Sequence, residues 1–125
     1  MEDKSMVISP KIAIIQPNAK LIPISTALDP LFEFRMSRNN NMDLIRWADC
    51  VIVDFRERPF FATKLNIPKL AVVNELSEST RRFIRSYSLD SVQTLSQVSA
   101  AVFRLTSCQT HFVNLNNQDK SLPLQ

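Results

Sequence analysis

The sequence predicts an α/β fold, a doubly wound parallel sheet, and three observations carry that expectation. Apolar runs of strand length occur at residues 11–16, 50–53 and 70–73, nearly continuous rather than alternating, as in strands buried on both faces. Stretches with helical spacing separate them, and parallel neighbours need such crossovers. The central run, Ala48-Asp49-Cys50-Val51-Ile52-Val53-Asp54-Phe55-Arg56, delivers an aspartate at its carboxyl end, where open α/β sheets gather ligands and chemistry. The expected strand order is 2-1-3-4-5, with helices on both faces.

The elements follow in order. Residues 1–10 read as a flexible N-terminal segment ending at Pro10, and residues 11–106 as the folded domain. The first strand, 11–16, is stopped by Pro17-Asn18. From 19 to 32 the apolar residues Leu21, Ile22, Ile24, Leu28, Leu31 and Phe32 have near-helical spacing, so a helix is expected from near Asn18 or Ile22, with Pro30 near its end. Residues 33–37 alternate polar and apolar, as an edge strand does, and Asn39-Asn40-Asn41 makes a loop. A short helix over 42–48 buries Leu44, Ile45 and Trp47 and hands over to the central strand. The polar loop 55–59 follows, then a brief helix over 60–65 closed by Asn66. Of the adjacent Phe60 and Phe61, one is expected in the core and the other outward. Pro68 precedes the strand 69–74, and Ser77 caps a helix through Arg85, with Thr80 where a full capping box has glutamate. A turn is placed at Leu89-Asp90, a last strand at 91–95 and a last helix at 96–105, with Val98, Ala101, Val102 and Leu105 on one face. Residues 107–125 read as a polar tail or linker.

At 125 residues the chain fits one domain and one core. Hydrophobic residues at 45% and charged residues at 22% are ordinary for a globular protein, and a net charge of +3 falls short of the concentrated basic face of nucleic-acid binders. No apolar run approaches the roughly 20 residues that cross a bilayer, and Met1-Glu2-Asp3-Lys4-Ser5 lacks the apolar stretch of a signal peptide, so a cytoplasmic location without membrane contact is expected. Cys50 and Cys108 have no CxxC spacing and read as reduced thiols rather than a disulfide or metal site. The chain has no glycine, where average usage gives about nine. Phosphate loops need glycine for positive φ and close backbone approach, so the P-loop and the dinucleotide fingerprint are excluded, and no cofactor is expected.

With an aspartate ending the third strand of such an alternation, the chain resembles the receiver domain of response regulators over residues 10–105. The resemblance implies a flavodoxin-like or receiver-like order and makes Asp54 the phosphoacceptor-equivalent position. It also marks departures. The family's magnesium-binding acidic pair is replaced by Gln16-Pro17-Asn18, Asn74 stands where a serine or threonine ends the fourth strand, and no lysine occurs between Lys69 and Lys120. Magnesium wants carboxylate oxygens, and transferred phosphate wants compensating donors. The chain therefore resembles a degenerate, or pseudo-, receiver, like those in the linker region of hybrid sensor histidine kinases. That implies a non-catalytic domain that docks proteins or positions neighbouring domains in a bacterial two-component phosphorelay, its parent being the kinase.

Other candidate residues admit ordinary roles as well as functional ones. Asp54 also suits a strand-end aspartate that caps loop amides. Arg56 and Arg58, with Arg81, Arg82 and Arg85, offer either a cationic surface for an acidic partner or a solvated face. His111 lies in the tail, away from any bundle helix that phosphotransfer would use. As an alternative, the runs at 48–54 and 68–73 resemble the donor-nucleotide-binding half of a glycosyltransferase-like enzyme, without the glycines such enzymes set against donor phosphates.

Overall fold

In the computed structural model, which describes residues 9–60 and 63–107, the strands are β1 (Lys11–Ile15), β2 (Glu33–Ser37), β3 (Cys50–Phe55), β4 (Lys69–Val73) and β5 (Asp90–Val92). They form one five-stranded parallel sheet in the order β2-β1-β3-β4-β5, as expected. The α-helices are α1 (Met42–Trp47), α2 (Glu78–Ser86) and α3 (98–107).

The two-sided apolarity of the central strands has a direct structural counterpart. The register sets Ile12 beside Cys50 and Ile14 beside Ile52, and Ile52 beside Leu70. This layer packs on Val98, Ala101 and Val102 of α3 and on Ile24 and Phe32. On the opposite face Ala13, Ile15, Val51, Val53, Phe55, Ala71 and Val73 pack with Leu44 and Ile45 of α1 and with Phe83 and Ile84 of α2. Helices thus cover both faces. Each large aliphatic side chain buried here contributes about 1.5–3 kcal/mol, which is why β1, β3 and β4 define the fold while the connections vary.

Caps fix the helices in place. Asn41 accepts a hydrogen bond from the Leu44 amide at 3.1 Å to start α1. Ser77 accepts from the Thr80 amide at 3.2 Å to start α2, and its hydroxyl also donates to Thr80 Oγ1 at 3.0 Å. The end of α2 shows how a chain without glycine stops a helix. Ser88 takes φ 55°, the left-handed conformation usually given to glycine, and the Leu89 amide reaches back to the Ile84 carbonyl at 2.9 Å. The reversal therefore comes at Tyr87–Ser88, ahead of the expected Leu89–Asp90.

Two expected helices are not formed. Between β1 and β2 only a 3-10 turn, Ile24–Ala27, is helical. Pro23 is its N-cap and lacks an amide to bond, Pro30 blocks continuation, and Thr26 Oγ1 bonds the Pro23 carbonyl at 2.7 Å, so local bonds replace a helical ladder. Between β3 and β4, residue 60 and residues 63–67 are not helical, and the middle of the expected 60–65 helix, including Phe61, lies outside the described residues. There the Leu65 amide bonds Thr63 Oγ1 at 3.0 Å and the Ile67 amide bonds the Leu65 carbonyl at 2.9 Å, tight turns that compete with a helix. The last strand begins at Asp90 and ends at Val92 rather than 95, because Thr94 and Gln97 form a capping box for the turn leading into α3. The tail from 108, with Cys108 and His111, lies outside the described residues.

Candidate functional site

The carboxyl ends of β1, β3 and β4 converge on one set of polar residues: Gln16, Asp54, Arg56 and Asn74. Alternation along β3 turns Asp54 to the same face as Cys50 and Ile52, and Gln16 continues the Ile12–Ile14 side of β1. Both therefore point at the irregular connection between β1 and β2, and both are buried, at 5% and 4% exposed.

Asp54 is fully engaged from within the chain. Its Oδ1 accepts from Arg56 Nε at 2.9 Å and from the Arg56 amide at 3.0 Å, while its Oδ2 accepts from Arg56 Nη2 at 2.9 Å. This is a two-pronged guanidinium–carboxylate pair, the strongest common geometry for such ions. The side chains are withdrawn from water, 10% exposed for Arg56 and 2% for Asp54. Arg56 Nη2 also donates to the Ile22 carbonyl at 2.7 Å. Gln16 acts on the same segment: its Oε1 accepts from the Ile24 amide at 2.9 Å, and its Nε2 faces the Asn18, Leu21 and Ile22 carbonyls at 3.3–3.4 Å. The two strand ends thus form a clasp that holds the connection where a helix was expected, giving its backbone groups partners.

The same bonds test whether the residues suit magnesium, the ion that the receiver resemblance implies, and they do not. Gln16 Oε1 is bonded to an amide, Asn18 Oδ1 accepts from the Lys20 amide at 2.9 Å, and both Asp54 oxygens face a guanidinium that would repel a cation. Among the described residues no three His, Cys, Asp or Glu side chains gather as a metal-binding group. Asn74, at the end of β4, donates to the Arg56 carbonyl at 2.8 Å and so braces the loop that carries the arginine.

The arginines singled out in the sequence fall into separate places. Arg56 belongs to the clasp, whereas Arg58 is exposed and lines a cleft of about 290 Å³ with Asn18, Arg38, Asp54 and Phe60. On α2, Arg81 and Arg85 line an open groove of about 650 Å³ beside β5, shared with Leu76, Ile84 and Asp90. Arg81 Nε donates to the Leu76 carbonyl at 3.1 Å. Arg82 pairs with Glu78 one turn earlier at 3.6 Å, both well exposed. Cys50 is buried in β3, and burial together with the Asp49 and Asp90 charges pushes its thiol up to about 12. Burial lowers the Lys69 ammonium below its ordinary value.

No family model matches the chain, and no curated protein is similar to it in sequence. No helix among the described residues is long and apolar enough to cross a membrane.

Sequence reasoning missed the clasp. Its signal was Asp54-Phe55-Arg56, an aspartate and an arginine two apart at a strand end, with a lone glutamine ending the neighbouring apolar strand. Which arginine would turn inward depends on tertiary position, and the loop offered both Arg56 and Arg58.

Proposed function

We propose that this domain acts without phosphoryl chemistry, as a pseudo-receiver that docks a protein partner or positions a neighbouring domain in a cytoplasmic bacterial two-component phosphorelay, as part of a sensor histidine kinase. One observation carries most weight: Asp54, the carboxylate near the end of the central strand, has both oxygens bonded to Arg56. A phosphoacceptor must present a free oxygen in line with the incoming phosphorus, whereas Asp54 is spent on holding the β1–β2 connection. The parallel order 2-1-3-4-5 supports the receiver resemblance at the level of fold only, since such folds host many functions.

Within this reading the recognition surface is the α2–β5 groove. Arg81 and Arg85 flank apolar Leu76 and Ile84 there, a combination suited to an acidic protein segment with an apolar anchor. Arg82 widens the cationic field along the helix, whereas Arg58 lines a separate cleft at the strand end. Reversing Arg81, Arg82 and Arg85 to glutamate in the full-length protein tests the idea. The thermal midpoint should move little, because among the described residues the reversal removes one ion pair, Arg82 to Glu78, an exposed pair of the kind that contributes about 0.3–0.5 kcal/mol, and the exposed Arg81 bond to the Leu76 carbonyl. Phosphorelay output or partner binding should fall, and the remaining binding should lose its salt dependence. Undiminished signalling by the triple variant would reduce the groove to an ordinary solvated surface.

A further inference from the structure

We propose that β2 is a dimerisation edge, at which two copies of this chain pair their β2 strands antiparallel about a two-fold axis through Phe34. Their two five-stranded sheets would join into one.

Among the described residues the edge is open and apolar, and β2 is hydrogen-bonded to β1 alone. The Glu33 amide donates to the Pro10 carbonyl at 3.0 Å and the Ser37 carbonyl accepts from the Gln16 amide at 2.9 Å, so Glu33, Arg35 and Ser37 spend their backbone groups inward. By alternation, Phe34 and Met36 turn their N–H and C=O groups outward. The exposed large apolar residues among those described are Ile22, Leu31, Phe34, Met36 and Phe103. Four of them lie on β2 or on the chain leading to it, and Phe103 packs its ring 4.7 Å from Phe32. Phe34 and Met36 are 42% and 45% exposed although their register partners, Ile12 and Ile14, are fully buried. The cause is the missing helix: the 3-10 turn is too short to cover this margin of the sheet.

The strand's own sequence names the occupant. With the axis through Phe34, Glu33 of each copy lies opposite Arg35 of the other, so two cross-strand ion pairs form on one face. On the other face Phe34 meets its counterpart and Met36 flanks it. Moving the axis by one residue sets Glu33 against Glu33 or Arg35 against Arg35, so charge selects a single register. Arg35 is already ordered for this role, its guanidinium lying 4.3 Å over the Trp47 ring on the face it shares with Glu33. A self-complementary patch of this kind is what a two-fold interface requires. The dimer requires nothing of Asp54 or of the α2 groove and stands apart from the docking function.

Sedimentation and light scattering over a concentration series test it. The wild-type chain should dimerise, and Glu33→Arg and Arg35→Glu should each raise the midpoint concentration roughly tenfold or more, because both pairs change sign together. An equal mixture of the two variants should then form a one-to-one heterodimer, since each supplies the charges the other lacks. Phe34→Pro should also dissociate the dimer while preserving the circular dichroism spectrum, because the amide it removes faces away from β1. A wild-type chain that stays monomeric to about 1 mM, a dimer indifferent to both charge variants, or folded single variants that fail to associate on mixing would each overturn the proposal.

Discussion

Removing Arg56 should destabilise the fold far more than a change at a loop arginine ordinarily does. Arg56→Ala leaves Asp54 with its single backbone donor, and takes away two charge-assisted bonds of 2.9 Å from a carboxylate that is 2% exposed. Breaking a buried ion pair from one side costs about 3–5 kcal/mol, because the remaining charge stays desolvated. The Ile22 carbonyl also loses its 2.7 Å donor, adding about 0.5–1.5 kcal/mol. A domain of this size has about 5–15 kcal/mol in total, so the variant should unfold at much lower urea, with a midpoint shift on the order of 2 M. Replacing both partners, Asp54→Leu with Arg56→Met, should recover most of that loss, since an apolar pair of similar volume needs no desolvation. Arg56→Lys should fall between, keeping the charge but not the fork. Equilibrium unfolding of wild type, Asp54→Leu, Arg56→Met and the double variant closes a cycle that gives the coupling directly. A loss below about 1 kcal/mol for Arg56→Ala would show that the clasp does not hold the β1–β2 connection.

Other outcomes follow from single observations. Ser88→Gly should stabilise the chain by about 0.5–1 kcal/mol, because Ser88 holds φ 55° and glycine meets that conformation without strain; an unchanged or lower midpoint contradicts this. Ser77→Ala should cost about 1 kcal/mol through loss of the α2 cap, readable by chemical denaturation. Cys50 holds its proton to about 12 when folded against 9.0 when unfolded, so the folded chain carries the extra proton and stability falls as pH rises above 9. The loss from this group reaches about 1.4 kcal/mol near pH 10. Lys69 acts oppositely, since its lowered value makes the folded chain shed a proton first and relieves a penalty as pH climbs toward 10.5. Comparing Cys50→Ala with wild type isolates the thiol: the variant's stability should decline less steeply above pH 9, and parallel curves would refute the assignment.

The sheet was legible because its three inner strands are apolar on both sides, a pattern with few alternatives. Ile12, Ile14 and Ile52 needed no tertiary information to be placed in the core. The connections were less legible because proline and side-chain bonding decide them: Leu21, Ile22, Ile24 and Leu28 have helical spacing, yet Pro23 and Pro30 leave room only for one 3-10 turn. The edge character of β2 was readable from its alternation, but the exposure of Phe34 and Met36 depends on that absent helix. At the site, Asp54 could be placed at a strand end from sequence, whereas its partner could not. Arg56 and Arg58 both lie in the loop after the strand, and the fold pairs Arg56 with Asp54 and the Ile22 carbonyl while leaving Arg58 exposed.

The measurement closest to the central claim is an amide-shift titration of isotopically labelled protein with magnesium and a beryllofluoride phosphoryl mimic. With both Asp54 oxygens held by Arg56 and no acidic pair at Gln16-Pro17-Asn18, the spectrum should show no saturable shifts around residues 16–18 and 54–58. Saturable shifts centred on those residues would mean that Arg56 releases Asp54 and that the carboxylate is a working phosphoacceptor.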